Sequence, residues 1–361
     1  MENNYCVIMA GGIGSRFWPM SKTDRPKQFI DVLGVGKSLI QITFDRLRKI
    51  APAENIFVVT NESYTDLVKE HLPELGDDQI LNEPLRRNTA PCVAYAAYKI
   101  REINPNANMV VAPSDHLVLN EEEFTRVILK ALDVTSQSGN LVTLGIQPNR
   151  PDTGYGYIQE STEALSIDEE FKKVKTFTEK PELEMAKFFL SSGDFYWNSG
   201  IFVWNASTII QSFEQHLPDM AELFENGRDK YSTHQEVSYL EEIYEVCTNI
   251  SIDYGIMEKS DNVYVLPCEF GWSDLGTWGS LYDRLEKDEF QNAVAGKKVR
   301  LYDSTNCVVN APADKLIVLQ GLNDYIVVES DNALLVCQKE NEQKIKQFVK
   351  DLKLEFGEQY V

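Results

Sequence analysis

Short apolar runs and longer periodic stretches alternate over the first 150 residues. The runs at 6–9, 56–59, 109–112 and 141–144 are bounded by turn residues and too short for helices, so the pattern predicts buried strands. Between them, apolar positions recur at helical spacing. Val93, Ala96, Ala97 and Ile100 share a face over residues 92–103, with Pro91 near the start. Phe124, Val127, Ile128, Ala131 and Leu132 share another after Asn120, whose side chain is placed to cap while Glu123 reaches back. Strand and helix in alternation predict an α/β fold with a mixed, mostly parallel sheet flanked by helices. Ligands of such sheets bind beyond the carboxyl ends of the strands, which directs attention to the loops there.

Residues 151–285 are less regular, and their polar, aromatic-rich turns read as insertions at the sheet edge. After Asn292 the character changes. Apolar groups at 308–309, 317–319, 326–328 and 334–336 recur about nine residues apart, separated by turns such as Gly-Leu-Asn-Asp and Ser330-Asp331-Asn332. That spacing predicts stacked short strands, either a small meander or a few coils of β-helix, closed by an amphipathic helix over 340–354. The expected division is a catalytic domain over residues 1–290 and a β-rich module with a terminal helix over 291–361. The module's open strand edges make it a candidate oligomerisation surface, for a homodimer or larger assembly.

At 361 residues, 43% hydrophobic and 25% charged, the composition is that of an ordinary globular protein. The formal net charge of −21 argues against nucleic acid or an anionic membrane as a partner. No stretch approaches the roughly 18 apolar residues of a membrane span, and the beginning lacks a basic, then apolar, secretory pattern. Six scattered cysteines, mostly inside apolar runs, read as buried reduced thiols and a cytoplasmic address. Four histidines without ligand spacing give no case for zinc.

The most informative loop is MAGGIGSRFWP, residues 9–19. Gly11, Gly12 and Gly14 directly after a strand allow close backbone approach and aim N–H groups at phosphate oxygens. It is not a dinucleotide fingerprint, because Phe17 stands where the last glycine is needed. Gly36-Lys37-Ser38 imitates the end of a Walker A loop, but Asp31 replaces its first glycine. Arg16, Lys22, Arg25 and Lys27 then crowd a short segment of an acidic chain, which suits a polyphosphate. Asp115, after another strand, is placed either to cap the next helix or to anchor Mg²⁺. Asp274, in the turn GWSDLGTW, is the best candidate for a second carboxylate.

MAGGIGSRFWPMSKTDRPKQF, RRNTAP, PSDH, TGYGYI, FTEKP, WNSGIF, SIDYGIMEK and GWSDLGTW occur in this order. The set resembles the sugar-phosphate nucleotidylyltransferases, and within them the mannose-1-phosphate guanylyltransferase branch, over about residues 5–285. The resemblance implies a Rossmann-like nucleotide-diphospho-sugar transferase fold. It also implies transfer of GMP from GTP to mannose 1-phosphate, giving GDP-mannose and pyrophosphate, with Mg²⁺ as cofactor or Mn²⁺ on the same ligands. Gly11, Gly12 and Gly14 would line the nucleotide, Arg16 would hold the triphosphate, and Lys27 would contact the departing pyrophosphate. Glu83, Asn88, Thr89 and Ala90 would read guanine, although Asn88 or Thr89 is equally placed to cap the helix near Pro91. Lys180 would pair with the phosphate of mannose 1-phosphate, Glu179 and Asn198 would bond sugar hydroxyls, and Gly156 would admit the ring. Asp253 lies in the same motif set, and Asp115 with Asp274 would share the metal.

A phosphate monoester is mostly dianionic at pH 7, so the expected chemistry is direct in-line attack without a general base or covalent intermediate. The alternatives are a nucleotidylyltransferase for another pair, such as UTP or dTTP with glucose 1-phosphate, and a silent sugar-nucleotide-binding regulatory subunit. The second would be expected to lose its charged residues, and these are present. Isomerase activity of the cupin type is not expected.

Overall fold

The computed structural model describes residues 2–330 and 332–361, so Asp331 of the last predicted turn lies outside the described residues. Two compact units emerge. The first comprises Met1–Gly11, Thr43–Ser114 and Val118–Trp272; the second comprises Gly12–Ile42, Asp115–Leu117 and Ser273–Val361.

The first unit is built on a nine-stranded sheet. Its strands are β1 (Asn4–Met9), β2 (Ile56–Asn61), β3 (Ile80–Glu83), β4 (Asn108–Pro113) and β5 (Leu141–Ile146), then β6 (Gly156–Leu165), β7 (Asp168–Glu179), β8 (Phe195–Asn205) and β9 (Val263–Cys268). Their order is β3-β2-β1-β4-β8-β5-β9-β7-β6. β1 pairs in parallel with β2 and β4, and β5 with β9, whereas β8 runs antiparallel to β4 and β5. Met9 and Pro113 end β1 and β4 in register. The four apolar runs predicted as strands are β1, β2, β4 and β5, each slightly longer than its run.

Alternation along these strands divides the sheet into two buried faces. Tyr5 and Val7, Phe57 and Val59, Met109 and Val111, and Phe202 and Trp204 face one core. That core also takes helices α1 (Thr89–Ile103), α3 (Ala206–His216), α4 (Pro218–Glu225) and α5 (Glu236–Val246). Helix α1 is buried on every side from Ala90 to Ile100, not on the single face its periodicity predicts. Its small residues Ala94, Ala96 and Ala97 let neighbours approach all round. Helix α2 (Glu121–Gln137) contacts β4 and β8. Asn120 caps it by accepting from the Glu123 N–H at 3.1 Å, but the Glu123 carboxylate turns to Arg126 and does not reach back.

The 151–285 region is no edge insertion throughout. β8 lies inside the sheet, because its WNSGIFVWN run supplies a fully buried Trp204 and Val203. β6 and β7 come last in the strand order and pair with shifted register, but β6 also pairs with β8, Tyr157 opposite Trp197, so neither is a free edge.

In the second unit the short strands β10 (Ala293–Ala295), β12 (Val308–Asn310) and β14 (Tyr325–Ser330) pair in parallel. β11 (Val299–Tyr302) and β13 (Ile317–Gln320) form a second parallel pair. Val308 faces Ile326 and Val299 faces Ile317 at the same chain spacing, which marks coils of a β-helix and excludes a meander. A final antiparallel strand, β15 (Ala333–Gln338), closes the stack. Asp303, Asn306 and Asp324 take the corners at positive φ, a conformation that Asn and Asp tolerate. The terminal helix α6 (Ile345–Phe356) starts later than predicted, after a 3₁₀ turn over Lys339–Lys344.

The boundary expected near residue 291 falls inside this unit. Phe17, Trp18, Ile30 and Val32 share a core with Trp278, Val308, Ile326, Leu335 and Ile345, and the Trp18 indole donates to the Tyr360 carbonyl at 2.6 Å. All six cysteines are free thiols. Among the described residues no helix is long and apolar enough to cross a membrane.

Candidate functional site

In the first unit the predicted residues gather in two groups. The first surrounds Glu83, at the end of β3 and only 6% exposed. Its Oε1 accepts from the Tyr244 hydroxyl at 3.0 Å, and its Oε2 would lie 3.5 Å from a Cβ built on Gly11. Burial lifts this carboxyl to about 8, against a smaller downward pull from Tyr244. Asn88, exposed and at φ 68°, precedes helix α1, and its Oδ1 accepts from the Thr89 N–H at 3.0 Å. The capping reading therefore holds for Asn88. Thr89 Oγ1 accepts from the Ile252 N–H at 2.9 Å. The Ala90 N–H is spent on the Ile250 carbonyl at 3.0 Å, and Ala90 is fully buried, so its amide is not offered to a base.

The second group lies on β6, β7 and β8. Gly156 pairs with Glu179, and a Cβ at Gly156 would run into the Glu179 carboxylate and lie 3.5 Å from Asn198 Cβ. The glycine is what lets this carboxylate lie over the strand. Asn198 is oriented by Thr143 and by the Gly200 N–H, both onto its Oδ1, and donates to Asp253 Oδ1 at 2.9 Å. Burial first, then the negative charge of Glu179, raises Asp253 to about 6, with Asn198 opposing. Lys180 adopts φ 47° at the end of the strand, an uncommon conformation for a side-chain-bearing residue. Its ammonium pairs with Glu179 at 2.5 Å. All five residues of the predicted sugar-phosphate set therefore stand together.

In the second unit, the glycine loop is braced by the segment that follows it. Gln28 donates to the Gly12 carbonyl at 2.9 Å, Ser21 to the Gly14 carbonyl at 2.7 Å, and the Lys27 N–H to the Ile13 carbonyl at 3.1 Å. Lys27, 2% exposed, sends its ammonium to Asp115 Oδ2 at 2.8 Å and to the Asp274 carbonyl at 2.9 Å. Burial alone would raise the Asp115 carboxyl, but Lys27 and His116 together hold it below the usual range. Lys27 thus brings both predicted metal carboxylate residues to one point. Asp274 Oδ1 accepts from the Gly276 N–H at 2.9 Å, which fixes the turn.

The other predicted cations do not join it. Arg16 donates from Nε to Gln343 at 3.0 Å and Lys22 reaches Asn332 at 3.0 Å, while Arg25 is exposed. Asp31 accepts from the N–H groups of Val35 and Gly36 at 3.0 and 2.7 Å, so the Walker-like triplet is a turn stapled by its own aspartate.

The donor set fits a hard cation. Among the described residues no three His, Cys, Asp or Glu side chains cluster. Two carboxylate-bearing residues beside one ammonium are the protein's share, and Mg²⁺ takes its remaining ligands from phosphate oxygens and water. Sequence reasoning missed Tyr244, Gln28, Ser21 and Thr143. Gln28 and Ser21 lie within a quoted motif, whereas Tyr244 sits in an ordinary amphipathic helix that carries no local signal.

Comparison with known proteins identifies the family. A family model described as nucleotidyl transferase matches residues 5–291, and one described as MannoseP isomerase/GMP-like beta-helix domain matches residues 296–352. A mannose-1-phosphate guanylyltransferase of Salmonella montevideo is 37% identical over 361 residues, covering 98% of this chain and 75% of that protein. The alginate biosynthesis protein AlgA of Pseudomonas aeruginosa is 35% identical, covering 96% of this chain and 71% of that protein. A crystal structure of a mannose-1-phosphate geranyltransferase from Thermus thermophilus has a TM-score of 0.86 and 31% identity, covering 97% of this chain and 99% of that one. With its α/β sheet and its β-helix, this chain belongs to the nucleotidyl transferase family.

Proposed function

We propose that the protein transfers GMP from GTP to α-D-mannose 1-phosphate, releasing GDP-mannose and pyrophosphate. The observation that carries this reading is the set Gly156, Glu179, Lys180, Asn198 and Asp253, which combines an ammonium for a phosphate with carboxylate and amide groups for hydroxyls. The relatives named for mannose 1-phosphate give the substrate pair.

Each group has a defined task. Lys180 holds the sugar phosphate, Glu179 and Asn198 bond the ring hydroxyls, and Gly156 admits the ring. Glu83, with Asn88 and Thr89 on the loop after it, reads guanine, and Gly11, Gly12 and Gly14 lie along the nucleotide. Arg16 and Lys27 neutralise the triphosphate, for which Arg16 must leave Gln343. Asp115 and Asp274 would hold Mg²⁺, or Mn²⁺ on the same oxygens. Bound there, the cation would supply charge stabilisation for the phosphates.

The reaction asks for orientation and charge screening. An oxygen of the sugar phosphate forms a bond to the α-phosphorus of GTP. The bond from the α-phosphorus to the oxygen that bridges to the β-phosphorus breaks, and its electron pair leaves on that oxygen with pyrophosphate. No proton need be removed from a dianionic nucleophile. The gathered side chains are ammonium, carboxylate and amide groups, in keeping with direct displacement.

A cytoplasmic setting, in keeping with the six free thiols, belongs to the same reading. So does self-association through residues 291–361. Among the described residues β15 pairs with β14 alone and exposes Leu334 and Val336, and light scattering tests this. Activity is tested by pyrophosphate release with Mg²⁺, crossing GTP, UTP, dTTP and ATP with mannose, glucose and galactose 1-phosphates. Strongest release for GTP with mannose 1-phosphate is expected. A different best pair would overturn the assignment.

A further inference from the structure

The loop that carries Glu83, Asn88, Thr89 and Ala90 is held by residues 244–252. Tyr244, fully buried near the end of α5, donates its hydroxyl to Glu83 Oε1 at 3.0 Å. Arg87 returns two hydrogen bonds, from Nε to the Tyr244 carbonyl and from a terminal nitrogen to the Glu245 carbonyl, both 2.9 Å. A guanidinium at a helix C-terminus also complements the helix dipole. Beyond the helix, the Ile250 carbonyl takes the Ala90 N–H and the Ile252 N–H goes to Thr89 Oγ1. Helix α5 is fixed at its other end as well, where buried Glu236 pairs with Lys99 at 2.7 Å and accepts from Tyr95 at 2.5 Å. A hydroxyl carried by so firmly held a helix fixes which oxygen of Glu83 is turned toward Gly11.

The groups facing Glu83 are Tyr244 from α5, Cys247 just after it, and Cys92 and Tyr95 from α1. Each is an acid, so none of them brings positive charge to the carboxyl. Guanine presents N1–H and N2–H₂ as donors, and only an ionised carboxylate accepts from them with full strength. The Tyr244 hydroxyl is the donor that favours this ionised form.

We propose that Tyr244 is a positioning residue for nucleobase recognition, its hydroxyl orienting Glu83 as the acceptor for the guanine edge. The inference rests on the reading of Glu83 as a base contact. It makes GTP binding strengthen as pH rises, because the buried carboxyl is mostly neutral at pH 7 and ionises around pH 8.

The test is equilibrium binding of GTP, and of inosine triphosphate, which lacks the N2 amino group, with Mg²⁺ from pH 6 to 9. Wild type is compared with Tyr244→Phe, Glu83→Gln and the double variant. For wild type, GTP affinity should rise with pH and level off above about pH 8. Tyr244→Phe should weaken GTP about tenfold at pH 7 and move the midpoint up by about one unit, since a lost hydrogen bond to a charged group has about that effect. Inosine triphosphate should lose less. Glu83→Gln should flatten the profile, and adding Tyr244→Phe to it should cost little more. The KM for mannose 1-phosphate should hold in Tyr244→Phe.

Unchanged GTP affinity and pH profile in Tyr244→Phe would overturn the inference. So would an equal loss from Tyr244→Phe in the Glu83→Gln background, which would mark a general packing role. A wild-type protein that shows the expected binding pattern but releases no pyrophosphate would refute the proposed activity and leave this inference standing. Absence of GTP binding would overturn both.

Discussion

Alanine at Gly12 and alanine at Gly14 add the same methyl group two residues apart, yet the structure predicts opposite outcomes for stability. Gly14 sits at φ +70°, where a side chain is strained, and a Cβ there would land on the Lys27 side chain. Lys27 has little freedom to move aside, because it is buried, its N–H is bonded to Ile13 and its ammonium is held by Asp115 and Asp274. The left-handed conformation costs about 1–2 kcal/mol, and overpacking about 1–3 kcal/mol more. Gly14→Ala should therefore lose roughly 2–5 kcal/mol. At Gly12 nothing lies within 4 Å of the added methyl and φ is not positive, so Gly12→Ala should be neutral or slightly stabilising. Urea unfolding followed by tryptophan fluorescence reads both, since Trp18 and Trp278 share the core of the same unit. Pyrophosphate release separates stability from function, because Gly12→Ala should still slow turnover if that backbone lines the nucleotide. Equal destabilisation by the two variants would refute the packing account of the loop.

Lys99→Met leaves Glu236 buried without its ammonium and should cost roughly 3–5 kcal/mol in urea unfolding; adding Glu236→Gln should recover part of the loss. Asp253, raised to about 6, favours its protonated form in the fold, so its contribution to stability is present below about pH 4 and lost as pH rises through 6. Asp253→Asn should thus stabilise the protein above pH 6 by on the order of 1 kcal/mol, with no gain at pH 4 in thermal or urea unfolding. Asp274→Asn keeps the backbone carbonyl that holds Lys27 but alters the carboxylate, and kcat should fall on the order of a hundredfold. Wild-type turnover in that variant would remove Asp274 from the site.

Strands β1, β2, β4 and β5 were legible because each is a short apolar run set off by turn residues, and Asn120 was legible as a cap. β8 was not, since its run mixes Asn198, Ser199 and Gly200 with large aromatics and its place between β4 and β5 depends on a chain reversal with no local mark. The coil spacing of the tail was visible, but parallel pairing became clear only from the register of Val308 with Ile326. Of the candidates inside motifs, Gly156, Glu179, Asn198 and Asp253 do meet. Arg16 shows the limit of motif reading, because a surface guanidinium takes whatever acceptor folding brings, here Gln343. Tyr244 was invisible for another reason. Its role depends on a buried contact with Glu83 across a long stretch of chain, and a tyrosine on an amphipathic helix reads as core.

The most direct test of the account follows labelled pyrophosphate through one purified sample with Mg²⁺. Direct attack by mannose 1-phosphate predicts GDP-mannose and pyrophosphate in equal amounts from GTP, and no exchange of labelled pyrophosphate into GTP when sugar phosphate is withheld. Exchange without sugar phosphate would reveal a nucleotidyl-enzyme and contradict direct displacement. Failure to form GDP-mannose from the full mixture would contradict the proposed activity itself.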